Sequence, residues 1–205
     1  MWSGLRRRRR GNGEHVPRHA ATPLLLVVSG PPASGKTSIA EGLAERLRIP
    51  FVSKDTFKER LYEVLGSEEE VEEPIERASL AILYSVAAAQ LAAGVPVMAE
   101  SNFDRRSDLE PLRRLQAEQG ARLVQVHCSR AREKLLERFV GRVQEGDRHP
   151  GHGDEPEDVN EVARKLDAGI WEPLDLPGAL IRVDKDDPGF ELDDLAEEVR
   201  TAGAS

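Results

Sequence analysis

Cysteine is almost missing from this sequence of 205 residues, and long apolar runs are missing altogether. The single cysteine, Cys128, excludes an intramolecular disulfide, which agrees with a reducing compartment. No apolar run approaches the ~20 residues that a membrane-spanning helix requires. No apolar segment follows the N-terminal arginines, which argues against a secretory signal. We therefore expect a cytoplasmic protein that does not enter a membrane.

The composition is typical of a single globular domain. Apolar residues make up 39% of the chain and charged residues 32%, which predicts a packed core beneath a heavily charged surface. The length suits one α/β domain and is short for two. Cys128 ends the apolar run 123–128, so we interpret it as a core residue at a strand end rather than as a nucleophile.

The first 22 residues differ in charge from the rest of the chain. They contain six arginines against one glutamate, whereas the whole chain has a formal net charge of −8. They show no apolar periodicity, so we interpret residues 1–22 as a disordered basic arm that precedes a domain at 23–205. Such an arm could bind nucleic acid or could have no function. The second alternative is favoured, because the acidic body of the protein would repel a polyanion.

Residues 24–37 carry the strongest functional signal, Leu-Leu-Leu-Val-Val-Ser-Gly-Pro-Pro-Ala-Ser-Gly-Lys-Thr. An apolar strand, a turn and a helix follow one another, and the turn is the Gly-x-x-x-x-Gly-Lys-Thr pattern of a phosphate-binding P-loop. Glycines let the backbone wrap around an anion, and the helix start adds its positive end. Lys36 is predicted to bridge the β- and γ-phosphates, and Thr37 to bind Mg²⁺. The predicted nucleotide-binding residues are Gly30, Ala33, Ser34, Gly35, Lys36, Thr37 and Ser38.

Strand-like and helix-like segments alternate along the whole chain. Strands are predicted at 24–28, 49–53, 95–99, 123–128 and 179–183. Helices are predicted from Lys36, at 56–65, from Pro74 to Gly94, and at 107–119, 130–143, 157–170 and 190–200, with the acidic run 68–73 as a solvated loop. This order predicts an α/β fold in which helices cover both faces of a parallel sheet. Ligands are then expected at the carboxyl ends of the strands.

Polar residues follow the second and third predicted strands. Asp55 can accept the proton of an attacking hydroxyl, although it could instead be the N-cap of the helix that follows. Glu100 ends the third strand and is interpreted as a residue that orients Mg²⁺ through water, a place where aspartate is more usual. Asn102 and Arg105 come next; they could contact the acceptor or belong to an ordinary loop.

Two arginines four residues apart, Arg138 and Arg142, share one face of a predicted helix. Together with Arg148 in the following loop they suggest a lid that brings cations to the phosphate, because guanidinium binds phosphate oxygens in a bidentate way. A solvated basic face is the alternative. The loop His149–Asp154 contains two histidines, but a metal site needs more ligands, held rigidly. Contact between this loop and substrate or nucleotide is favoured.

These motifs together resemble the small P-loop kinases. That group includes zeta-toxin-like kinases, chloramphenicol phosphotransferase and the kinase domain of polynucleotide kinase. The resemblance rests on the P-loop, Asp55, Glu100-Ser101-Asn102-Phe103, the Arg138/Arg142 helix and residues 183–188, and it covers about residues 23–201. It implies a three-layer α/β/α P-loop NTPase fold with a five-stranded parallel sheet and an arginine-bearing lid. It also implies that Asp55 is the base and that residues 184–188 lie near the adenine.

The resemblance implies Mg²⁺-dependent transfer of the γ-phosphoryl group of ATP to a hydroxyl group of a small molecule, such as a nucleoside, a sugar or an antibiotic-like acceptor. Lys36, Asp55, Arg138 and Arg142 would be catalytic, and Asp55, Glu100, Asn102, Arg105 and Arg148 would bind the acceptor. Glu-Ser-Asn replaces the Asp-x-x-Asn of many relatives, so reaction type carries over better than acceptor identity.

Two other classes of function stay open. One is a polynucleotide 5′-hydroxyl kinase or nucleic-acid-associated ATPase that uses the basic arm. The other is a nucleotide-hydrolysing switch, for which we find neither a water-positioning glutamine nor a guanine-reading Asn-Lys-x-Asp. We expect a monomer or a homodimer.

Overall fold

The computed structural model describes residues 22–66, 69–145 and 158–204, in which strands and helices alternate as predicted. The strands are β1 (Leu24–Ser29), β2 (Phe51–Ser53), β3 (Val97–Glu100), β4 (Arg122–Ser129) and β5 (Ala179–Asp184). The helices are α1 (Lys36–Leu47), α2 (Lys54–Leu65), α3 (Glu69–Ala92), α4 (Leu109–Gln119), α5 (Arg132–Glu145), α6 (Asp158–Asp167) and α7 (Leu192–Ala204).

The five strands form one parallel sheet in the order β2-β3-β1-β4-β5. β1 lies at the centre, and its residues Leu25 to Val28 are fully buried, as a continuous apolar run in a parallel sheet requires. The register pairs Ser53 with Glu100 and Ser29 with His127, so the carboxyl ends of neighbouring strands meet at one edge. The predicted α/β fold is confirmed.

Helices pack on both faces of the sheet. On one face, Ile39 and Leu43 of α1 meet Leu195 and Val199 of α7 in an apolar cluster. On the other face, a second cluster contains residues of α3 and α4, among them Leu83, Ala87 and Leu112. A third, small cluster joins Phe139 of α5 and Val162 of α6 to Ala33 of the P-loop. The helix pair α5/α6, which the sequence analysis interpreted as a lid, therefore packs against the P-loop.

The start of α2 corrects one sequence-based alternative. The helix begins at Lys54, two residues earlier than predicted, and its N-cap is Ser53. Asp55 therefore lies inside the first turn, and the hypothesis that it is the N-cap is wrong. β2 leads into α2 without an intervening loop: Ser53, which has an extended backbone, is both the last residue of the strand and the N-cap of the helix. An acidic residue is favoured in the first turn by the helix dipole.

The acidic run before Pro74 also differs from its prediction. Residues 69–73 belong to α3, and Pro74 lies inside that helix instead of opening it. Glutamate is a good helix former and is favoured near a helix N-terminus, which explains why these residues extend the helix. The predicted end is close to the observed one. Gly94 has φ +76° and donates its N–H to Leu91 O at 2.9 Å.

Other element boundaries shift by one to four residues. β2 and β3 each begin two residues later than predicted, and α4, α5 and α7 likewise begin two residues later. β4 and α7 are longer than predicted, and α6 ends at Asp167 rather than near Ile170. Such ends are set by the pairing partner and by capping geometry, which hydrophobic periodicity does not contain.

Cys128 lies in β4 and is buried, as predicted. Burial raises the pKa of its thiol to about 12, so the reactive thiolate does not form at neutral pH. Within the described ranges, no helix is long and apolar enough to cross a membrane. The predicted basic arm lies outside the described residues except for Thr22, whose carbonyl accepts a hydrogen bond from Arg122 at 3.3 Å. The predicted loop 146–156 also lies outside them.

Candidate active site

The P-loop follows β1 and has the backbone of an anion-binding turn. Gly30, Ala33 and Gly35 all have positive φ, at +144°, +64° and +89°. Gly30 also lies so close to β4 that a Cβ would stand 2.2 Å from Cys128 O, and glycine is therefore required there. Alternating backbone conformations of this kind turn successive N–H groups toward one point. The loop thus has the backbone conformation expected of the phosphate cradle that the sequence pattern predicts.

Helix α1 begins directly at Lys36, with Gly35 as its N-cap in the left-handed conformation. The positive end of α1 therefore points at the concave side of the loop, where a phosphate is stabilised. The hydroxyl of Ser38 donates to Gly35 O at 2.9 Å. The hydroxyl of Ser34 is buried and has no hydrogen-bond partner among the described residues, so it is available to a ligand of the loop.

Glu100 is the carboxylate at the centre of the site. It is buried at the end of β3, accepts a hydrogen bond from Ser53 Oγ at 2.6 Å and one from Thr37 Oγ1 at 3.3 Å. Lys36 Nζ lies 3.7 Å from Glu100 Oε1, the same oxygen that accepts from Thr37. The structure thus joins three of the predicted residues, Lys36, Thr37 and Glu100. A hydroxyl and a carboxylate side by side are the oxygen ligands that Mg²⁺ prefers, so these residues fit that ion.

Arg130 is a site residue that the sequence analysis missed. Its side chain is only 6% exposed; Nε donates to Ser34 O at 3.1 Å, and Nη1 forms an ion pair with Asp186. A Cβ on Gly35 would lie 3.5 Å from Arg130 Nη2, which places the guanidinium against the P-loop. The pKa of Arg130 is lowered by burial and, next, by the nearby charge of Arg138. Two guanidiniums therefore lie beside the phosphate loop.

Lys185 is a second residue beside the P-loop, within the stretch 184–188 that the family resemblance implied to lie near the adenine. It follows β5, and its Nζ donates to Ser38 Oγ at 2.7 Å, at the start of α1. Both residues could have been found in the sequence from their position relative to the strands. Arg130 and Lys185 each come directly after a strand whose carboxyl end lies at the P-loop edge of the sheet.

The predicted lid arginines both lie on α5. Arg138 Nε donates to Ala33 O at 3.3 Å, so this arginine already contacts the loop. The guanidinium of Arg142 lies 5.6 Å from the centre of the Phe139 ring, and Phe139 packs in the small cluster with Ala33. Arg148 and the loop His149–Asp154 lie outside the described residues.

A cavity of about 390 Å³ opens beside the P-loop and is here called the acceptor cavity. Asp55 and Asn102 line it, whereas the exposed side chain of Arg105 does not. Asn102 Oδ1 is buried and has no hydrogen-bond partner among the described residues. The full lining is Pro32, Lys54, Asp55, Lys58, Glu76, Leu80, Ser101, Asn102, Asp104, Ser107, Asp108, Lys165, Ile170 and Trp171.

Asp108 holds the shape of the loop between β3 and α4. Its carboxylate accepts hydrogen bonds from Tyr84 Oη at 2.9 Å and from the Asp104 N–H at 2.8 Å. Burial raises the pKa of Asp108 above its usual range, and these hydrogen bonds oppose that shift only in part. Asp108 is the N-cap residue of α4 but makes no capping bond with its side chain, because the carboxylate is engaged in closing this loop.

His127 lies beneath the P-loop in β4, buried, with Nδ1 3.2 Å from Ser29 Oγ. Burial, and then the charge of Arg182, lowers the pKa of His127 to about 4. The imidazole is therefore neutral at physiological pH and belongs to the support of the loop.

The fold and this site define a P-loop nucleotide-binding protein. The AAA domain family matches residues 25–165, and the chain belongs to this family. A solved structure of a candidate kinase from Chloroflexus aurantiacus J-10-fl is 34% identical, with a TM-score of 0.79 over 88% of this chain and 98% of that one. The sequence-based resemblance to small P-loop kinases is confirmed.

More distant structures share the fold. Kti12 from Chaetomium thermophilum, solved with ADP-AlF3, is 21% identical with a TM-score of 0.65, over 88% of this chain and 100% of that chain. A gluconokinase from Sinorhizobium meliloti 1021 is 22% identical with a TM-score of 0.51, over 89% of this chain and 93% of that chain. A comparison with curated proteins found no match.

Proposed function

We propose that this protein is an ATP-dependent kinase that transfers the γ-phosphoryl group to a hydroxyl of a small molecule. The observation that carries the proposal is the acceptor cavity, which holds Asp55 and borders the P-loop at Pro32. A hydrolase needs room for one attacking water, about 10–15 Å³ in the same measure, whereas this cavity measures about 390 Å³. The 34% identity to a candidate kinase supports the same reaction type.

The P-loop side of the site binds the phosphates in this mechanism. Backbone N–H groups of the loop and the ammonium of Lys36 hold the β- and γ-phosphates, and the positive end of α1 adds to this field. Thr37 and Glu100 would hold Mg²⁺, which when bound neutralises charge on the phosphate oxygens. Arg138 and Arg142 lie on the lid side, where guanidiniums stabilise the charge of the transferring group.

Asp55 acts on the acceptor. Its carboxylate aligns the hydroxyl and accepts the hydroxyl proton late in the reaction, as the oxygen bonds to the γ-phosphorus. The bond between that phosphorus and the β–γ bridging oxygen breaks, and ADP leaves with the electron pair. The products are the phosphorylated acceptor, ADP and one proton, which Asp55 releases to solvent.

The test begins with a screen of ATP consumption against nucleosides, sugars, aminoglycoside-like antibiotics and 5′-hydroxyl oligonucleotides. With the best acceptor, we expect Asp55→Asn to lower phosphotransfer by about 10²–10⁴-fold, the usual contribution of a general base. Nucleotide binding should persist, because the P-loop is unchanged. Asp175→Asn is the matched control, since Asp175 is exposed and contacts only Arg113 on the surface among the described residues. Near-normal phosphotransfer by Asp55→Asn would exclude it as the base and direct the search to Glu100.

A further inference from the structure

A second cavity, of about 150 Å³, also borders Trp171 and is here called the β4 cavity. β4 contributes His127 to its lining, α5 contributes Leu135 and α6 contributes Leu166. Among the described residues, Trp171 is the only one that lines both this cavity and the acceptor cavity. The β4 cavity therefore lies between the sheet and the helix pair α5/α6, and no step of the proposed reaction uses it.

The β4 cavity is separate from the phosphate-binding side of the P-loop. Leu135 of α5 lines it, whereas Arg138 projects from another face of the same helix and donates to Ala33 O at 3.3 Å. Arg130 also lines the cavity, and its Nε donates to Ser34 O at 3.1 Å. Both arginines contact carbonyl oxygens of the loop, whereas phosphates bind at its N–H groups. A molecule in the β4 cavity therefore leaves the phosphate cradle open.

Two buried polar residues, Gln125 and Ser29, determine where His127 carries its proton. The Gln125 amide pairs twice with Leu174: its NH₂ donates to Leu174 O at 2.9 Å, and its oxygen accepts from the Leu174 N–H at 3.1 Å. These two bonds fix the orientation of the amide. The same amide oxygen lies 3.0 Å from Ser29 Oγ, so the Ser29 hydroxyl donates its proton to Gln125.

His127 is therefore protonated at Nδ1. Ser29 Oγ has already given its one proton to Gln125, so it accepts from His127 Nδ1, which lies 3.2 Å away. A neutral imidazole has one N–H, which leaves Nε2 as a hydrogen-bond acceptor. Nε2 has no partner among the described residues, yet protein atoms do not enclose it, so it opens to the cavity that His127 lines. His127 and Leu135 are each only 4% exposed and form the floor of this cavity.

The charged residues in the wall of the β4 cavity have partners or are exposed to solvent. Arg130 forms an ion pair with Asp186. Arg132 donates twice to Asp167, from Nε at 2.6 Å and from Nη2 at 2.9 Å. Glu172 is exposed. No charge among the described lining residues therefore requires an ion in the cavity.

Water alone fills the β4 cavity poorly. In the same measure one water occupies about 10–15 Å³, so the cavity has room for roughly 10–15 waters. Each enclosed water needs two to four polar partners, which the side chains of Leu135 and Leu166 do not provide. Displacing such loosely held waters with an apolar group is favourable. The cavity is thus suited to an organic molecule.

We propose that the β4 cavity is a second ligand site, which binds a small uncharged ring compound that donates one O–H or N–H hydrogen bond to His127 Nε2. The ring packs against Leu135, Leu166 and the indole of Trp171. A donor is required, because an acceptor would face the lone pair of Nε2 and leave both groups unsatisfied. A charge is disfavoured, because the floor offers only a neutral imidazole and a leucine. This site is distinct from those of ATP and the acceptor, and it does not depend on the kinase function.

Nitrogen-15 NMR of the imidazole rings tests the protonation state of His127 in the full chain. The chain contains five histidines, and His127→Asn assigns the signals of His127 by their loss. The asparagine amide places an N–H near the position of Nδ1, so the hydrogen bond to Ser29 is kept. At pH 7 we expect a protonated Nδ1 and a bare Nε2. A proton on Nε2 would overturn the proposal.

Phenol and anisole are the probes for the ligand site. Both are uncharged rings of similar shape, but only phenol has an O–H donor. We expect phenol to shift the Nε2 resonance in a saturable way and to bind about three- to tenfold more tightly than anisole, the usual contribution of one hydrogen bond. Saturation with Mg²⁺ and a non-hydrolysable ATP analogue should leave phenol binding unchanged. Equal binding of the two probes, an unmoved Nε2 resonance or loss of phenol to the ATP analogue would overturn the proposal.

Variants then distinguish the β4 cavity from the acceptor cavity. His127→Asn removes the acceptor at Nε2 and should weaken phenol binding by about three- to tenfold. Ser107→Ala is the control, because Ser107 is exposed and lines only the acceptor cavity. It should bind phenol as the unmodified protein does. Weaker binding in Ser107→Ala, or unchanged binding in a folded His127→Asn protein, would overturn the proposal. If His127→Asn does not fold, the contrast between phenol and anisole in the unmodified protein decides.

Discussion

Replacing Arg130 with methionine tests how the P-loop is held in shape. Methionine keeps the apolar stem of the side chain but removes the guanidinium. The hydrogen bond from Nε to Ser34 O at 3.1 Å and the ion pair with Asp186 are then lost together. The outward carbonyl of the loop loses its donor, and Asp186 loses its closest cation.

The structure sets the expected size of this effect. Removing one partner of a buried ion pair costs about 3–5 kcal/mol, but Asp186 is 24% exposed and keeps Lys134 at 3.4 Å. We therefore expect the free energy of unfolding to fall by about 2 kcal/mol. For a chain of 205 residues this corresponds to a decrease in Tm of roughly 4–8 °C. The KM for ATP should rise, because the loop that binds the phosphates is no longer fixed.

Thermal unfolding and ATP kinetics of the same variant provide the test. Arg132→Met is the matched control: Arg132 is an arginine two residues further along whose partner Asp167 is largely exposed, and such pairs contribute about 0–1 kcal/mol. The double variant with Asp186→Asn should lose less stability than the sum of the single variants. If Arg130→Met and Arg132→Met unfolded at the same temperature and had the same KM for ATP, the conclusion that Arg130 holds the P-loop in shape would be refuted.

Three further predictions concern the loop and its surroundings. Lys36→Ala should abolish ATP turnover in a folded protein because it removes the phosphate-bridging charge; turnover at the unmodified rate would exclude the P-loop from the mechanism. Replacing Arg138 and Arg142 together with alanine should lower kcat by about 10²–10⁴-fold, with little change in ATP affinity measured by titration. An effect on Tm alone would mark them as surface residues. Burial lowers the pKa of His127 to about 4. The neutral imidazole therefore contributes its full share to the free energy of unfolding above pH 6.5. That contribution decreases as pH falls from 6.5 toward 4, by at most about 1.4 kcal/mol per pH unit. His127→Gln should reduce the slope of unfolding free energy against pH, measured by urea unfolding at pH 7, 6 and 5. An unchanged slope would show that other groups cause the pH dependence.

Local patterns were sufficient to predict the sheet and the phosphate cradle. The apolar run of β1, the spacing of Gly30 and Gly35, and the Lys36-Thr37 pair each act within about 14 consecutive residues. A motif of this length specifies its own backbone, and it predicted the strand, the loop and the start of α1 at their observed positions. Helix starts were harder, since good helix formers such as the glutamates before Pro74 read equally well as a solvated loop.

Only the tertiary structure decided which distant residues meet at the site. Arg130 reaches Ser34, Lys185 reaches Ser38, and Lys54 and Lys58 converge on Glu76, although these partners are far apart in sequence. Their meeting depends on the strand order, which places the ends of β4 and β5 beside the P-loop, and on the packing of α2 against α3. Sequence periodicity records which face of an element is buried, but not which element will cover it. For that reason the sequence by itself determined the phosphate cradle, whereas packing decided the contacts of Arg130 and Lys185 with the loop and the lining of the acceptor cavity.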